Sequence, residues 1–423
     1  MYQRTVLNNG LRILTSTMPH THSVSIVFFI GVGSRYESDE QSGASHFIEH
    51  VLFKGTAKRP TASEIAMAIE QIGGLFNASV GQEESTYWAK VTQPHLDIAI
   101  DVLVDMLRHA RFDQSEIDKE RDVIIKEINL TLDTPDDLVQ LLNNQLVWPN
   151  HPLGRDVAGT KESIASLDRD RLLAYMNNHY LPNNTVVSVA GNVEHETVVN
   201  QIAACLGDWA RAEVASYQPA EDGQSEPRVR VHDKDTEQAY LCLSVPGLPR
   251  NHPDCFNLRL LNAVLGEGMG SRLFTCIRER RDLAYSVNSY ISALYDTGVV
   301  GVCAGVAPGH IETATRAILE EWDKLRQEEI PPQELARAKD FIKGQLLFLM
   351  EDSLSVAIWF GSQEILFSEI LTYGEAIEAI EAITAADVQR VAQKLFSEEK
   401  LNLAVVGPFQ GEDGFKELLV NTL

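Results

Sequence analysis

Between Gly43 and Gly55 the chain reads GASHFIEHVLFKG, and three of those side chains could do chemistry together: His46, Glu49 and His50. On a helix, positions i and i+4 lie on one face, so both imidazoles can reach one ion while the glutamate at i+3 leans over the same face. The order H-x-x-E-H inverts the common zinc-peptidase motif, in which the metal polarises a carbonyl and a carboxylate takes a proton from the attacking water. Two histidines do not complete such a site. A third protein ligand is needed, with the fourth position left to water.

The candidate third ligand is Glu127, in DQSEIDKERDVIIKEINLTL. There Ile117, Val123, Ile124 and Ile128 predict a helix with an apolar face, and Glu120 lies two turns before Glu127 on the same side. Two stacked carboxylates could supply a ligand and a partner that orients it. Taken alone, Glu116, Lys119, Glu120, Arg121, Lys126 and Glu127 would equally make an ordinary solvent-facing charge ladder.

At this point the chain resembles the M16 family of metallopeptidases, whose pattern is H-x-x-E-H followed after some 76 residues by a glutamate ligand. Here 76 residues, Val51 to Lys126, separate His50 from Glu127. The resemblance extends to GSRYE before the motif, FKGT after it, GGLFNAS, the E-R-x-V-I-x-x-E-I segment and the HPLG run at His151. It implies one zinc ion per chain held by His46, His50 and Glu127, with Glu49 as general base and Glu120 as supporting acid. It also implies that LFNASV, Leu75 to Val80, is a strand pairing with an extended substrate at Asn77 and Ala78, a main-chain mode that tolerates many sequences. In the second half, GEGMGSRLFTCIRERRDLAYSV resembles the family's glycine-rich loop with its arginine and tyrosine, here Arg278 and Tyr285, which close over substrate. Seven residues place that pair on one face if the helix persists. Manganese or cobalt could replace zinc as the physiological metal.

These residues must be held by folded elements, and the chain carries its elements twice. DRDRLLAYMNNHYLPNNTVVSVAGNV from Asp168 is echoed by TAADVQRVAQKLFSEEKLNLAVVGPF from Thr384, an offset of 216 residues. In each copy a helical pattern leads into an apolar strand and a glycine turn, Gly191 and Gly407. SVSIVFFIGVG and QAYLCLSVPG predict matching strands early in the halves, and TASEIAMAIEQIGG predicts a helix capped by Thr61 and stopped at Gly73-Gly74. The expected architecture is α+β: two duplicated domains, each an antiparallel-rich sheet covered by helices. By resemblance this is the metallohydrolase fold shared by mitochondrial processing peptidase and LuxS. The expected domains are 1–212 with the metal and 228–423 without it, joined by a polar linker at 213–227. FNLRLLNAVLGEG, where the duplication would repeat the motif, has no histidine pair.

Composition narrows the class. At 423 residues, with 44% apolar and 23% charged residues, the chain is long enough for two cores and is neither disordered nor fibrous in character. A formal charge of -24 argues against nucleic acid as a partner and would draw in basic peptides. Cys205, Cys242, Cys255, Cys276 and Cys303 form no C-x-x-C pair and read as small buried apolar residues in a reducing compartment. The N-terminus reads as strand, Asn-Gly turn, strand, and no apolar run approaches the ~20 residues of a membrane span, so a cytoplasmic location is expected. The expected function is a zinc-dependent endopeptidase acting on unfolded or presequence-like peptides. Four-domain members of the family close a chamber from two halves; a two-domain chain is by resemblance expected to form a C2 homodimer with Arg278 and Tyr285 acting in trans, or a heterodimer with a related chain. The alternative is a non-catalytic assembly subunit, or a peptide-binding partner, of the same fold.

Overall fold

The first two strands, Tyr2–Val6 (β1) and Arg12–Thr17 (β2), pair antiparallel about the expected turn, where Gly10 takes a φ of +88° that favours glycine. Ser23–Ile30 (β3), Leu75–Val80 (β4), Ser85–Thr92 (β5) and Thr185–Gly191 (β6) complete a six-stranded sheet in the order β1-β2-β6-β3-β5-β4. Only the β2–β6 pair is parallel. This computed structural model describes residues 2–367 and 369–420.

Central strand β3 is buried on both faces, so it reads as a continuous apolar run rather than an alternation. Val24, Ile26, Phe28 and Ile30 face one side. There they meet Phe47, Ile48 and Val51 of Ala44–Leu52 (α1), Ile65 and Ile69 of Ala62–Glu70 (α2), Ile100 and Leu103 of Leu96–His109 (α3), and Ile117, Ile124 and Ile128 of Gln114–Asp133 (α4). Thr61 caps α2 in a capping box with Glu64, as its sequence predicts. Val27 and Phe29 face the other side and pack, with Leu14, Val186 and Ala190, against Val356, Ala357 and Phe360 of a helix from far along the chain, Ser353–Leu366. Gly361 lets that helix approach: a Cβ there would lie 2.1 Å from Phe29 Cε2.

A second sheet repeats the plan. Arg228–Asp233 (β7), Ala239–Pro246 (β8), Ala284–Ala293 (β9), Gly298–Val306 (β10) and Asn402–Gly407 (β11) lie in the order β7-β11-β8-β10-β9, again with one parallel pair, β7–β11. Position by position this matches β2-β6-β3-β5-β4, so the duplication extends through the sheet. The visiting helix here is Pro135–Val147 (α5), whose Leu138, Val139, Leu142 and Leu146 pack on Cys242, Cys303, Ala404 and Val406.

The compact units therefore cross the contiguous boundaries 1–212 and 228–423 expected from sequence. One comprises Met1–Ile128, Asp156–Gln218 and Leu347–Thr372; the other comprises Asn129–Arg155, Pro219–Leu346 and Tyr373–Leu423. Each half lends the other one helix, because each sheet has two apolar faces to cover. The cysteines match the expectation only in part: Cys242 and Cys303 are buried, but Cys255 and Cys276 are half-buried and Cys205 is exposed. Among the described residues no helix is long and apolar enough to cross a membrane.

Candidate metal centre

Helix α1 carries the H-x-x-E-H residues and is anchored at its start. Gly43 precedes it at φ +89°, where a Cβ would lie 2.5 Å from Ala158 O. The buried Glu37 carboxylate accepts the N–H of Gly43 at 2.7 Å and of Ser45 at 2.8 Å, satisfying amides that have no partner within the helix and placing negative charge at the positive end of its dipole. The Ser45 hydroxyl shares a hydrogen bond of 2.9 Å with Tyr175. Phe47, Ile48 and Val51 pin the inner face, leaving His46, Glu49 and His50 half-buried together.

Their ligand atoms converge. His46 Nε2 and His50 Nε2 are 3.2 Å apart, and Glu127 Oε2, from α4, lies 3.7 Å from the first and 3.5 Å from the second. A tetrahedral ion with bonds of about 2.1 Å holds its ligand atoms about 3.4 Å apart, so the donor set fits one zinc-sized ion. Glu49 Oε2 stands 3.8 Å from His50 Nε2, beside that point. Burial and the neighbouring His50 lower the pKa of His46 to about 4, so its imidazole is neutral at pH 7 and free to donate a lone pair. Burial raises the Glu49 carboxyl above its ordinary value; the Glu127 and Glu120 charges add to this, while His50 and Lys54 oppose it.

Outside this trio Glu120 Oε2 lies 3.0 Å from His50 Nδ1, and its other oxygen accepts from Lys54 Nζ at 2.8 Å. A carboxylate so held fixes the orientation of the ring and the tautomer that presents Nε2. Lys54 and Glu37 lie in the FKGT and GSRYE segments quoted above, but no role follows from their spacing; an acid six residues before a glycine N-cap was the only local signal for Glu37. His46 Nδ1 is buried without a hydrogen-bond partner, so the two rings are not equally supported.

Asn77 and Ala78 lie on β4, an edge strand, whose Phe76 packs on Phe53 just past the end of α1. In the β4–β5 hairpin Gly81 N donates to Glu84 O at 2.8 Å, and the register continues unbroken to Leu75 opposite Lys90. Antiparallel alternation then turns the odd positions of β4 towards β5, and the N–H and C=O groups of Phe76, Ala78 and Val80 point outward from the edge. One of these is occupied: Ala78 N donates to Asn77 Oδ1 at 2.9 Å.

Arg278 and Tyr285 lie in the other compact unit. Their helix does not persist. It is a π-helical segment, Phe274–Arg280, followed by Asp282 at φ +49°, and Tyr285 stands at the start of β9, the counterpart of β4. Both side chains are exposed, Tyr285 by 63%, with the Arg278 guanidinium 5.0 Å from the Phe274 ring centroid.

Residues 12–161 match the model of the Insulinase family (Peptidase family M16), and residues 166–341 match that of the Peptidase M16 inactive domain. An uncharacterized zinc protease of Bacillus subtilis, YmxG, is 37% identical across 96% of this chain and 98% of its own. Another uncharacterized zinc protease, from Streptomyces coelicolor, is 36% identical across 96% and 90%. Among solved structures, a protease from Helicobacter pylori superposes with a TM-score of 0.92 at 23% identity, covering 96% of this chain and all of that one. A chain of complex III2 from Candida albicans shares the fold at a TM-score of 0.83 and 22% identity, covering 99% of each.

Proposed function

Since this chain belongs to the M16 peptidase family, we propose that it is a zinc-dependent endopeptidase that hydrolyses unfolded or presequence-like peptides. The observation that carries this reading is the convergence of His46, His50 and Glu127 within 3.2–3.7 Å of one another, with Glu49 alongside. These three residues would hold one zinc ion per chain. Bound there, zinc would acidify water and polarise the scissile carbonyl.

Glu49 accepts a proton from the attacking water and delivers it to the leaving amine, and burial, which raises its pKa above the ordinary value, favours its holding that proton between the two transfers. Glu120 orients the His50 ring as the supporting acid. The outward backbone groups of β4 take up the peptide as an added strand, which reads main chain more than side chains. Arg278 and Tyr285 donate to the oxyanion of the attacked carbonyl, in this reading from the other subunit of a homodimer. The first unit is thus catalytic and the second, without metal ligands at the corresponding helix Cys255–Gly266, binds substrate. The overall charge of -24 favours peptides with Lys or Arg near the cut. A cytoplasmic site of action accords with five free thiols.

The decisive experiment combines metal analysis with turnover of a flexible peptide. About one zinc per chain and cleavage that a chelator stops are expected. Glu49→Gln keeps the metal and loses at least about a hundredfold in kcat, the lower end of what general-base catalysis supplies. Zinc retained without turnover in the unaltered protein would favour the non-catalytic assembly reading, to which the shared fold of the complex III2 chain also points.

A further inference from the structure

Two of the five thiols stand apart from the rest. In the pairing of β8 with β10, Cys242 lies directly opposite Cys303. Opposed residues on neighbouring strands present their side chains to the same face, so both sulfurs enter the apolar layer beneath α5. Their Sγ atoms are 2.8 Å apart, nearer than the roughly 3.5–4.0 Å at which non-bonded carbon-sized atoms rest. The backbone suits a bond: opposed antiparallel residues have Cα atoms about 4.5–5.5 Å apart, inside the range of about 4.4–6.8 Å that a disulfide spans.

The surroundings decide between a metal and a covalent link. Apart from the sulfurs the pair is bordered by Leu138, Val139, Leu142, Ala404 and Val406. The polar atoms nearby belong to Tyr290, whose hydroxyl is 3.4 Å from Cys242 Sγ and accepts from Asn143 Nδ2 at 3.0 Å, and to Ser244, which donates to Asn143 Oδ1 at 2.7 Å. The carboxylate that acts on the pair is Asp136 of α5; among the described residues the pair belongs to no group of three or more metal-ligating side chains, and two thiolates fall short of the four ligands of a structural zinc site.

We propose that Cys242 and Cys303 are a modification site, a thiol pair that closes to a cross-strand disulfide in the folded protein when a peroxide-class oxidant is present. Cys303 is the more accessible of the two residues, 6% exposed against 0% for Cys242. Its thiolate attacks one oxygen of hydrogen peroxide; the O–O bond breaks, the departing hydroxide leaves as water, and a sulfenic acid remains. The sulfur of Cys242 then displaces that hydroxyl group, which also leaves as water, and the S–S bond forms. Two thiols lose two electrons and two protons, and one peroxide becomes two waters. Contact with Cys242 and burial, with the charge of Asp136 on α5 adding to them, hold the Cys303 thiol well above its ordinary range, so thiolate is scarce at neutral pH. The pair is therefore a slow staple, faster at alkaline pH, that fixes the register of β8 against β10.

Folded full-length protein is treated with hydrogen peroxide, then denatured, alkylated and digested. The expected product is one pair of peptides joined through Cys242 and Cys303, lighter by two hydrogens than the reduced peptides and separated again by dithiothreitol. Exposed Cys205 serves as the internal control for oxidant dose. Recovery of Cys242 and Cys303 as separate alkylated peptides after prolonged treatment at alkaline pH, well beyond the dose that consumes Cys205, or their linkage to any other cysteine, overturns the proposal. In Cys303→Ala, which keeps a small apolar side chain on the strand, Cys242 must stay unlinked at the same dose; a link from it to another cysteine shows that opening of the chain rather than strand geometry brings the thiols together.

Discussion

His46, Glu49 and His50 were legible because a four-residue spacing on one helix is a local fact. Glu127 was a candidate on its own helical pattern, but only the resemblance separated it from a surface charge ladder, since no periodicity links residues 76 positions apart. Lys54 and Glu37 were not legible as site residues: their partners, Glu120 and the start of α1, meet them only in the folded chain. The arrangement makes Glu120 testable apart from catalysis. Glu120→Gln, which removes the charge that orients the His50 ring, is expected to weaken zinc binding by about 10- to 100-fold while Glu49 chemistry persists at saturating zinc. Competition with a chromophoric chelator measures it, and unchanged affinity would remove Glu120 from the metal's support. A second titration lies away from the metal. His179 is packed 4.2 Å from the Tyr175 ring and burial lowers its pKa to about 4, against about 6.5 in an unfolded chain. Between those values the unfolded state binds the extra proton, so the stability held above pH 6.5 is lost as pH falls towards 4. Urea midpoints across that window should fall less steeply in His179→Gln; parallel profiles would show that His179 is not the group responsible.

Strands and helices were mostly readable, because strand and helix periods depend on the local order of apolar residues. The partner of each face was not. The apolar faces of Ser353–Leu366 and α5 announce burial, yet nothing in either segment says that it covers a sheet built from the other half of the chain. The same limit applied at Arg278 and Tyr285, whose shared face was conditional on a persisting helix that in fact ends before the Asp282 turn, leaving Tyr285 in β9. Edge strand β4 shows what an element does that its residues do not reveal singly. Its unpaired groups invite another strand, which folded proteins generally discourage, and the Asn77 carboxamide occupies the outward N–H of Ala78. An incoming peptide must displace it. If the edge binds substrate, Asn77→Ala is expected to lower KM for an extended peptide about twofold, the low end for one exposed hydrogen bond, with kcat little changed. A raised KM would mean that the carboxamide itself holds the peptide.

At the scale of the molecule the duplication sets the candidate metal ligands on α1 and α4 of one unit, and Arg278 and Tyr285 before and at the start of β9 in the other, which the proposed reading takes as two separate duties. Where no related chain contributes, a chain carrying both sets completes its site from itself or from a second copy, and subunit mixing distinguishes the two. Glu49→Gln and Arg278→Ala chains should each be nearly inactive alone. When they are unfolded together, refolded and supplied with zinc, half of a randomly assorted homodimer population pairs one of each. If the arginine acts in trans, one site in every mixed dimer joins an intact Glu49 to an intact Arg278, so activity should return to about a quarter of the unaltered level. If the arginine acts within its own chain, every site in the mixture still lacks one of the two groups and no activity returns. Refolding each variant separately before mixing controls for simple recovery, because pre-formed dimers that do not exchange must stay inactive.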